Sequence, residues 1–225
     1  MKFTEYFQFE FINDSTMNDR IDALDKKKPT TFGNIPTWIL KENKDIISPI
    51  ITEMYNECSR NTIFPNSLKL ADVTPVFKKD DRTKKDMYRP ISILPPMSKI
   101  FEGIMYNQIS SYIEKFLSPY LCGFRKGFST QYCLALMIDR WQKAIDSGKI
   151  AGALLTDLSK AFDCINHELL IAKLEAYGFS NSSLRYIYSY LSGRKQRTKV
   201  NDSFSEWCNM LFGVPQGVNP RATSI

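Results

Sequence analysis

The chain has 225 residues, a net charge of +6, 43% hydrophobic and 13% aromatic residues, a balance that excludes a disordered segment and suits a folded core. No apolar run approaches the roughly 18 residues of a membrane span. A single histidine, His167, and five scattered cysteines without a C-x-x-C pair exclude a zinc site of ordinary spacing and give no footing for a Ser-His-Asp hydrolase.

The start, MKFTEYFQFEFINDST, has no apolar stretch followed by small residues, so no secretory signal is read. An intracellular setting, cytoplasm and/or nucleus, with reduced, packed cysteines is the expectation. Residues 1–34 read as irregular or weakly helical, closing in the turn PTTFGNIP. Pro36 can occupy the first position of a helix. From there Ile46, Ile47, Ile50, Ile51, Met54 and Tyr55 recur at helical spacing.

Charge then changes sign. Residues 1–59 carry a net −3, residues 60–130 a net +6. A basic segment on an ordered fold is either an electrostatic footprint for polyanions or a solvated face. Within it, Val73, Val76 and Phe77 precede the charged loop KKDDRTKKD, and Tyr88, Ile91 and Ile93 follow it, predicting a hairpin. Such a tip either stands in water or grips an anion. An amphipathic helix follows, with Ile100, Phe101, Ile104, Met105, Ile109, Tyr112 and Phe116 on one stripe.

GFRKGFST carries two glycines and two cations, and Ser129 or Thr130 caps the helix QYCLALMIDRWQKAID. IAGALLTD reads as a buried strand that delivers Asp157 to its end, facing either a solvent cap or a reaction centre. Asn166 caps HELLIAKLEAYGF, which Gly178 stops. A short helix, SSLRYIYSYLSG, leads to RKQRTKVNDSFSEWCNML, a hairpin turning at Asn201 and Asp202, and the chain closes on FGVPQGVNPRATSI. Helices around a modest, mainly antiparallel sheet make the class α+β.

Four stretches carry chemistry together: Asp157 with Phe162 five residues on, the hairpin cations Lys78 and Arg89, the turn GFRKG, and the turn GVPQG. Nucleotidyl transfer needs such an inventory. A phosphoryl centre in flight gathers negative charge that carboxylate-held metal ions and nearby cations stabilise, and glycines admit close approach to a flat base pair. The bland alternatives are a strand-end cap for Asp157, a turn cap for Asp163, a helix-start packing role for His167, core packing for Phe162, a solvated hairpin face for Lys78 and Arg89, and plain surface for GRKQRTK.

In order and spacing, ADVTPVFKKDD, YRPISILPPMSKIFE, GFRKGFST, LLTDLSKAFDCINHELLIAKL and GVPQG resemble the reverse transcriptases of non-LTR retrotransposons, the jockey-like group above all, over residues 25–217. The resemblance implies a partial right-hand polymerase: an N-terminal helical extension (1–62), a fingers-like part (63–149) and an incomplete palm (150–225). It implies Asp157 as the first metal-binding carboxylate, with the Leu158 carbonyl as a further ligand. It further implies Phe162 as the gate against a ribose 2′-hydroxyl, Lys78 and Arg89 on the incoming triphosphate, and Gln216 and Gly217 along the nascent base pair. Arg125, Lys126, Arg194, Lys195 and Arg197 are the implied nucleic-acid contacts.

The implied cofactor is Mg²⁺, and the implied partners are an RNA template, a DNA primer and a dNTP, with no membrane. The resemblance also implies a Tyr-x-Asp-Asp hairpin that the sequence stops short of, since no Asp or Glu follows Glu206. Two ions about 3.5–4 Å apart cannot be fixed by one carboxylate, so the expectation is a chain truncated within the palm and inactive as written. The alternatives are a nucleic-acid-binding remnant without chemistry, or a broken reading frame's product with no function.

Overall fold

Short polar side chains start helices, Ser129 and Asn166 as their positions predict. In the computed structural model, which describes residues 5–31, 33–158 and 161–215, Ser129 opens α5 (Thr130–Asp146) by accepting from the Tyr132 amide at 3.2 Å. Asn166 opens α6 (His167–Ala176) and Ser180 opens α7 (Asn181–Leu191) in the same way. Earlier in the chain, Asn13 caps α1 (Asp14–Asp22).

The single helix expected from Pro36 onward is two. Helix α2 (Thr37–Glu42) ends at Asn43, and α3 (Lys44–Arg60) starts again beyond it. The Asn43 side-chain amide donates to the Ile39 carbonyl at 2.9 Å, a local bond that competes with the helix ladder. The buried side of α3 is set by Ile51 and Tyr55, whereas Ile46 and Ile50 of the expected stripe face solvent.

Strands β1 (Leu70–Phe77) and β2 (Tyr88–Ile93) form the predicted antiparallel hairpin, Phe77 opposite Tyr88 and Asp72 opposite Ile93. Helix α4 (Pro96–Ile113) begins at Pro96 and buries Ile100, Phe101, Ile104, Met105 and Ile109, as its stripe predicts. Strand β3 (Lys195–Val200) pairs in parallel with β1, and antiparallel with β4 (Ser203–Phe204) and β5 (Cys208–Asn209). The turn falls at Asn201, with φ of 51°, and the sheet order is β2-β1-β3-β4. The architecture is mixed α and β around a mainly antiparallel sheet.

One core gathers residues distant in sequence. Phe7 and Phe9 join Tyr55, Phe64, Phe101, Phe179 and Tyr186, with the Tyr55 and Phe101 rings edge-to-face at 5.1 Å. Each such side chain contributes about 1.5–3 kcal/mol on burial. Residues 5–12, read as irregular, are held there by an isolated parallel bridge from Phe7 to Phe179.

The buried strand expected over IAGALLTD does not form. Residues 151–158 run without regular structure, and Leu154 and Leu155 are 92% and 86% exposed. A strand is stable only where a neighbour takes its backbone groups and apolar face, and among the described residues none is paired with this segment. Helix α5 forms as predicted yet buries none of its residues.

Candidate nucleotide and nucleic-acid site

The hairpin supplies two cations on one face. Side chains alternate along a strand, and Arg89 lies opposite Val76 in the register. The Lys78 amide continues the ladder by donating to the Met87 carbonyl at 2.8 Å. Lys78 therefore shares the face of Val76 and Arg89, and both cations are exposed. Their charged tip is folded back on itself: Asp81 accepts from the amide and hydroxyl of Thr83, which hold its carboxyl below the usual range. Tyr88 donates to the Arg82 carbonyl at 2.9 Å, and Arg82 lies over the Phe77 ring.

A second junction joins two distant motifs. The Gly213 amide donates to the Ile165 carbonyl at 2.8 Å and the Val214 amide to the Phe162 carbonyl at 3.0 Å. Gly213 has φ of +80°, and a Cβ there would stand 2.7 Å from the Phe162 oxygen, so only glycine fits. His167, buried at the start of α6, donates from Nε2 to the Gly213 carbonyl at 2.8 Å. The segment leading into VPQG is thereby seated on the turn that carries Phe162, whose ring meets Phe124 edge-to-face at 6.1 Å. Gln216 and Gly217 lie outside the described residues.

His167 is the packing residue its helix-start position predicts. Its bond to Gly213 was not legible across 46 positions; the glycine ahead of Val-Pro was the one signal available.

Asp157 and Leu158 are exposed on the unpaired segment. No group of three or more His, Cys, Asp or Glu side chains that could hold a metal converges among the described residues. Asp157 offers one carboxylate, which suits a magnesium ion that keeps waters and borrows phosphate oxygens. The described donors do not build a site for two ions.

Two implied nucleic-acid contacts are engaged elsewhere. Arg125 is spent on its own loop: Nε and Nη2 donate to Glu114 at 3.1 and 2.5 Å, and Nη1 donates to the Ser118 and Leu121 carbonyls at 2.9 and 3.0 Å. It also lies over Phe128. The five donors of a guanidinium suit such a clamp. Arg194 is only 1% exposed, enclosed by Tyr190 and Glu102, with Nη1 donating to the Tyr190 carbonyl at 3.2 Å and Nη2 4.0 Å from Glu102. Neither side chain presents a surface cation, and sequence alone carries no sign of a guanidinium's partner.

Glu102 is the acid of that interior cluster. Burial pushes its carboxyl above the usual range, against the pull of Arg194, Tyr190, Ser98 and Lys99. Lys69, nearby, is pushed down by burial and by Arg194.

Lys126 and Lys195 are exposed. Arg197 is partly buried: Nε donates to Asp72 at 2.7 Å, and the guanidinium lies over Phe204 and Trp207 at 4.0 and 4.6 Å. No helix among the described residues is long and apolar enough to cross a membrane.

The sequence is similar to known proteins. A family model described as reverse transcriptase (RNA-dependent DNA polymerase) matches residues 76–220. A probable RNA-directed DNA polymerase from transposon BS of Drosophila melanogaster is 28% identical over 202 residues, 88% of this chain and 22% of the relative. The corresponding protein from transposon X-element of the same species is 32% identical over 171 residues, 74% of this chain and 19% of the relative. The RNA-directed DNA polymerase from mobile element jockey of Drosophila funebris is 27% identical over 167 residues, 73% of this chain and 18% of the relative. The chain thus spans about a fifth of the length of the curated relatives it matches.

Proposed function

The chain belongs to the reverse transcriptase family, and from that premise we propose that it supplies the fingers and first palm segment of an RNA-directed DNA polymerase of a non-LTR retrotransposon. Its substrates are a dNTP and a DNA primer on an RNA template, in the cell interior. The observation that carries the proposal is the bonding of the Gly213 and Val214 amides to the Ile165 and Phe162 carbonyls, which supports reading the two motifs as parts of one nucleotide site. Lys78 and Arg89 bind the triphosphate, Lys126 and Lys195 contact nucleic-acid phosphates, and Asp157 with the Leu158 carbonyl accepts Mg²⁺. The metal, when bound, stabilises the charge that develops on the transferred phosphoryl group.

The test is equilibrium dNTP binding in the presence of a primer–template. Lys78→Ala and Arg89→Ala are each expected to weaken it about tenfold or more, since a hydrogen bond to a charged group contributes about 1.5–3 kcal/mol. Phe162→Ala is expected to leave dNTP affinity nearly unchanged while raising affinity for the ribonucleotide. Affinities indifferent to all three changes would overturn the proposal.

A second reading has its own support. The exposed setting of Asp157, without a cluster of three ligands among the described residues, favours a chain that binds nucleic acid and performs no chemistry by itself. Primer extension by the purified chain, abolished by Asp157→Asn, would contradict it.

A further inference from the structure

The segment that enters α5 folds back along that helix and brings two cysteines together. Arg140 of α5 lies over the Tyr120 ring at 4.0 Å, and the Phe128 and Tyr132 rings meet edge-to-face at 5.1 Å. Between these contacts the Cys122 thiol comes within hydrogen-bonding reach of the Cys133 thiol, and its sulfur stands 3.6 Å from the Tyr120 carbonyl oxygen. We propose that Cys122 and Cys133 are an oxidation site, at which a hydroperoxide forms an intramolecular disulfide that staples the GFRKG turn to α5. The pair stands outside the nucleotide site proposed above and does not depend on that reading.

The fold holds the two sulfurs in place before any oxidant arrives. Cys133 and Arg140 are seven residues apart in α5, about two turns, and share one face of the helix. Tyr120 and Cys122 meet that face in the opposite order, so the segment runs antiparallel to α5 and reaches its first turns. Arg125 clamps it there: the guanidinium donates to Glu114 and to the Ser118 and Leu121 carbonyls, and lies over Phe128. Both cysteines are partly exposed, which admits a small oxidant, and a partner already positioned makes the closing step intramolecular. Cys58, by contrast, packs against the helical core, and Cys164 and Cys208 are exposed.

The chemistry is two displacements at sulfur. The Cys133 thiolate attacks the hydroperoxide; an S–O bond forms, the O–O bond breaks, and an alcohol leaves with the proton that Cys133 released, or water when the oxidant is hydrogen peroxide. The Cys122 sulfur then attacks the sulfenic sulfur; the S–S bond forms, the S–O bond breaks, and water leaves with the Cys122 proton. Two thiols lose two electrons and the peroxide gains them. Burial and the neighbouring Cys133 push the Cys122 thiol up, against the pull of Arg125; the first attack is therefore assigned to Cys133 and the closing one to Cys122. The bond also bears on a contact made across the chain. Phe124, inside the ring it closes, meets Phe162 edge-to-face at 6.1 Å, so the staple fixes the turn on which the Phe162 ring rests.

The test is peptide mapping by mass spectrometry of the full chain, reduced and then exposed to hydrogen peroxide, with circular dichroism confirming that each variant folds. Trypsin cuts after Arg125 and Lys126, which puts the two cysteines on different peptides. The expected product is that pair of peptides joined through Cys122 and Cys133, lighter by two hydrogens and separated again by dithiothreitol. Amide exchange over residues 120–128 should slow about tenfold or more in the oxidised chain, because the cross-link removes loop freedom. Cys122→Ser should stop at a sulfenic acid on Cys133, trapped by dimedone, and Cys133→Ser should give no such adduct on Cys122. Oxidation that joins Cys122 or Cys133 to other cysteines instead, or carries both to sulfinic acid without linking them, would overturn the site. A dimedone adduct on Cys122 in the Cys133→Ser chain would overturn the assignment of roles, and unchanged exchange in the linked chain would overturn the staple.

Discussion

The helical core and the motif-bearing segment of this molecule solve opposite problems. Around α3, α4 and α7, Tyr55, Phe101 and Tyr186 are buried to 1% exposure or less. From Ile150 to Leu158 an equally apolar run stands in solvent, Leu154 at 92% exposed, and it carries Asp157. Apolar composition therefore does not locate the core here. Stability resides where side chains from distant segments meet, and the residues proposed to bind nucleotide and metal lie on the hairpin, the Phe162 turn and the exposed segment.

The contrast can be broken from its strong side first. Phe101→Ala should cost about 3–5 kcal/mol, read as a large fall in denaturation midpoint. Next is the junction: Gly213→Ala places a Cβ against the Phe162 oxygen at positive φ and should cost about 1–3 kcal/mol. The readout is hydrogen exchange at the Gly213 and Val214 amides, and dNTP affinity should fall with it. A Gly213→Ala chain with unchanged exchange would separate the two motifs that the structure joins.

A smaller effect is pH dependence at the core's edge. Burial raises the Glu102 carboxyl above its unfolded value. Its folding contribution is therefore fully present below about pH 4.3 and is lost as pH rises through the folded pKa. Thermal melts of Glu102→Gln should show a flatter stability profile than wild type between about pH 4.3 and neutrality. The smallest effect is expected at Leu154→Ser, within about 0.5 kcal/mol of wild type, as for an exposed site. A loss of several kcal/mol there would show the segment to be packed in solution.

Much of the fold was legible because its signals are local. The β1–β2 hairpin declares itself by apolar residues flanking a charged loop, α4 by its stripe, α5 and α6 by Ser129 and Asn166. What failed was decided by partners far along the chain. An apolar run such as IAGALLTD does not name its neighbouring strand. Arg125 and Arg194 read as surface cations until Glu114 and Glu102 are found beside them. Of the candidate site, Lys78 and Arg89 were placed correctly on one hairpin by period alone, whereas the His167–Gly213 bond needed the folded chain.

The most direct test of the central claim is hydrogen exchange of the chain with and without an RNA–DNA primer–template and dNTP. The account predicts new protection in the hairpin from residue 76 to 91 and at the 162–165 and 213–214 junction, with exchange in the core of α3 and α7 little changed. Protection confined to the helical core, or none anywhere, would contradict the assignment of the sheet face and junction as the nucleotide site.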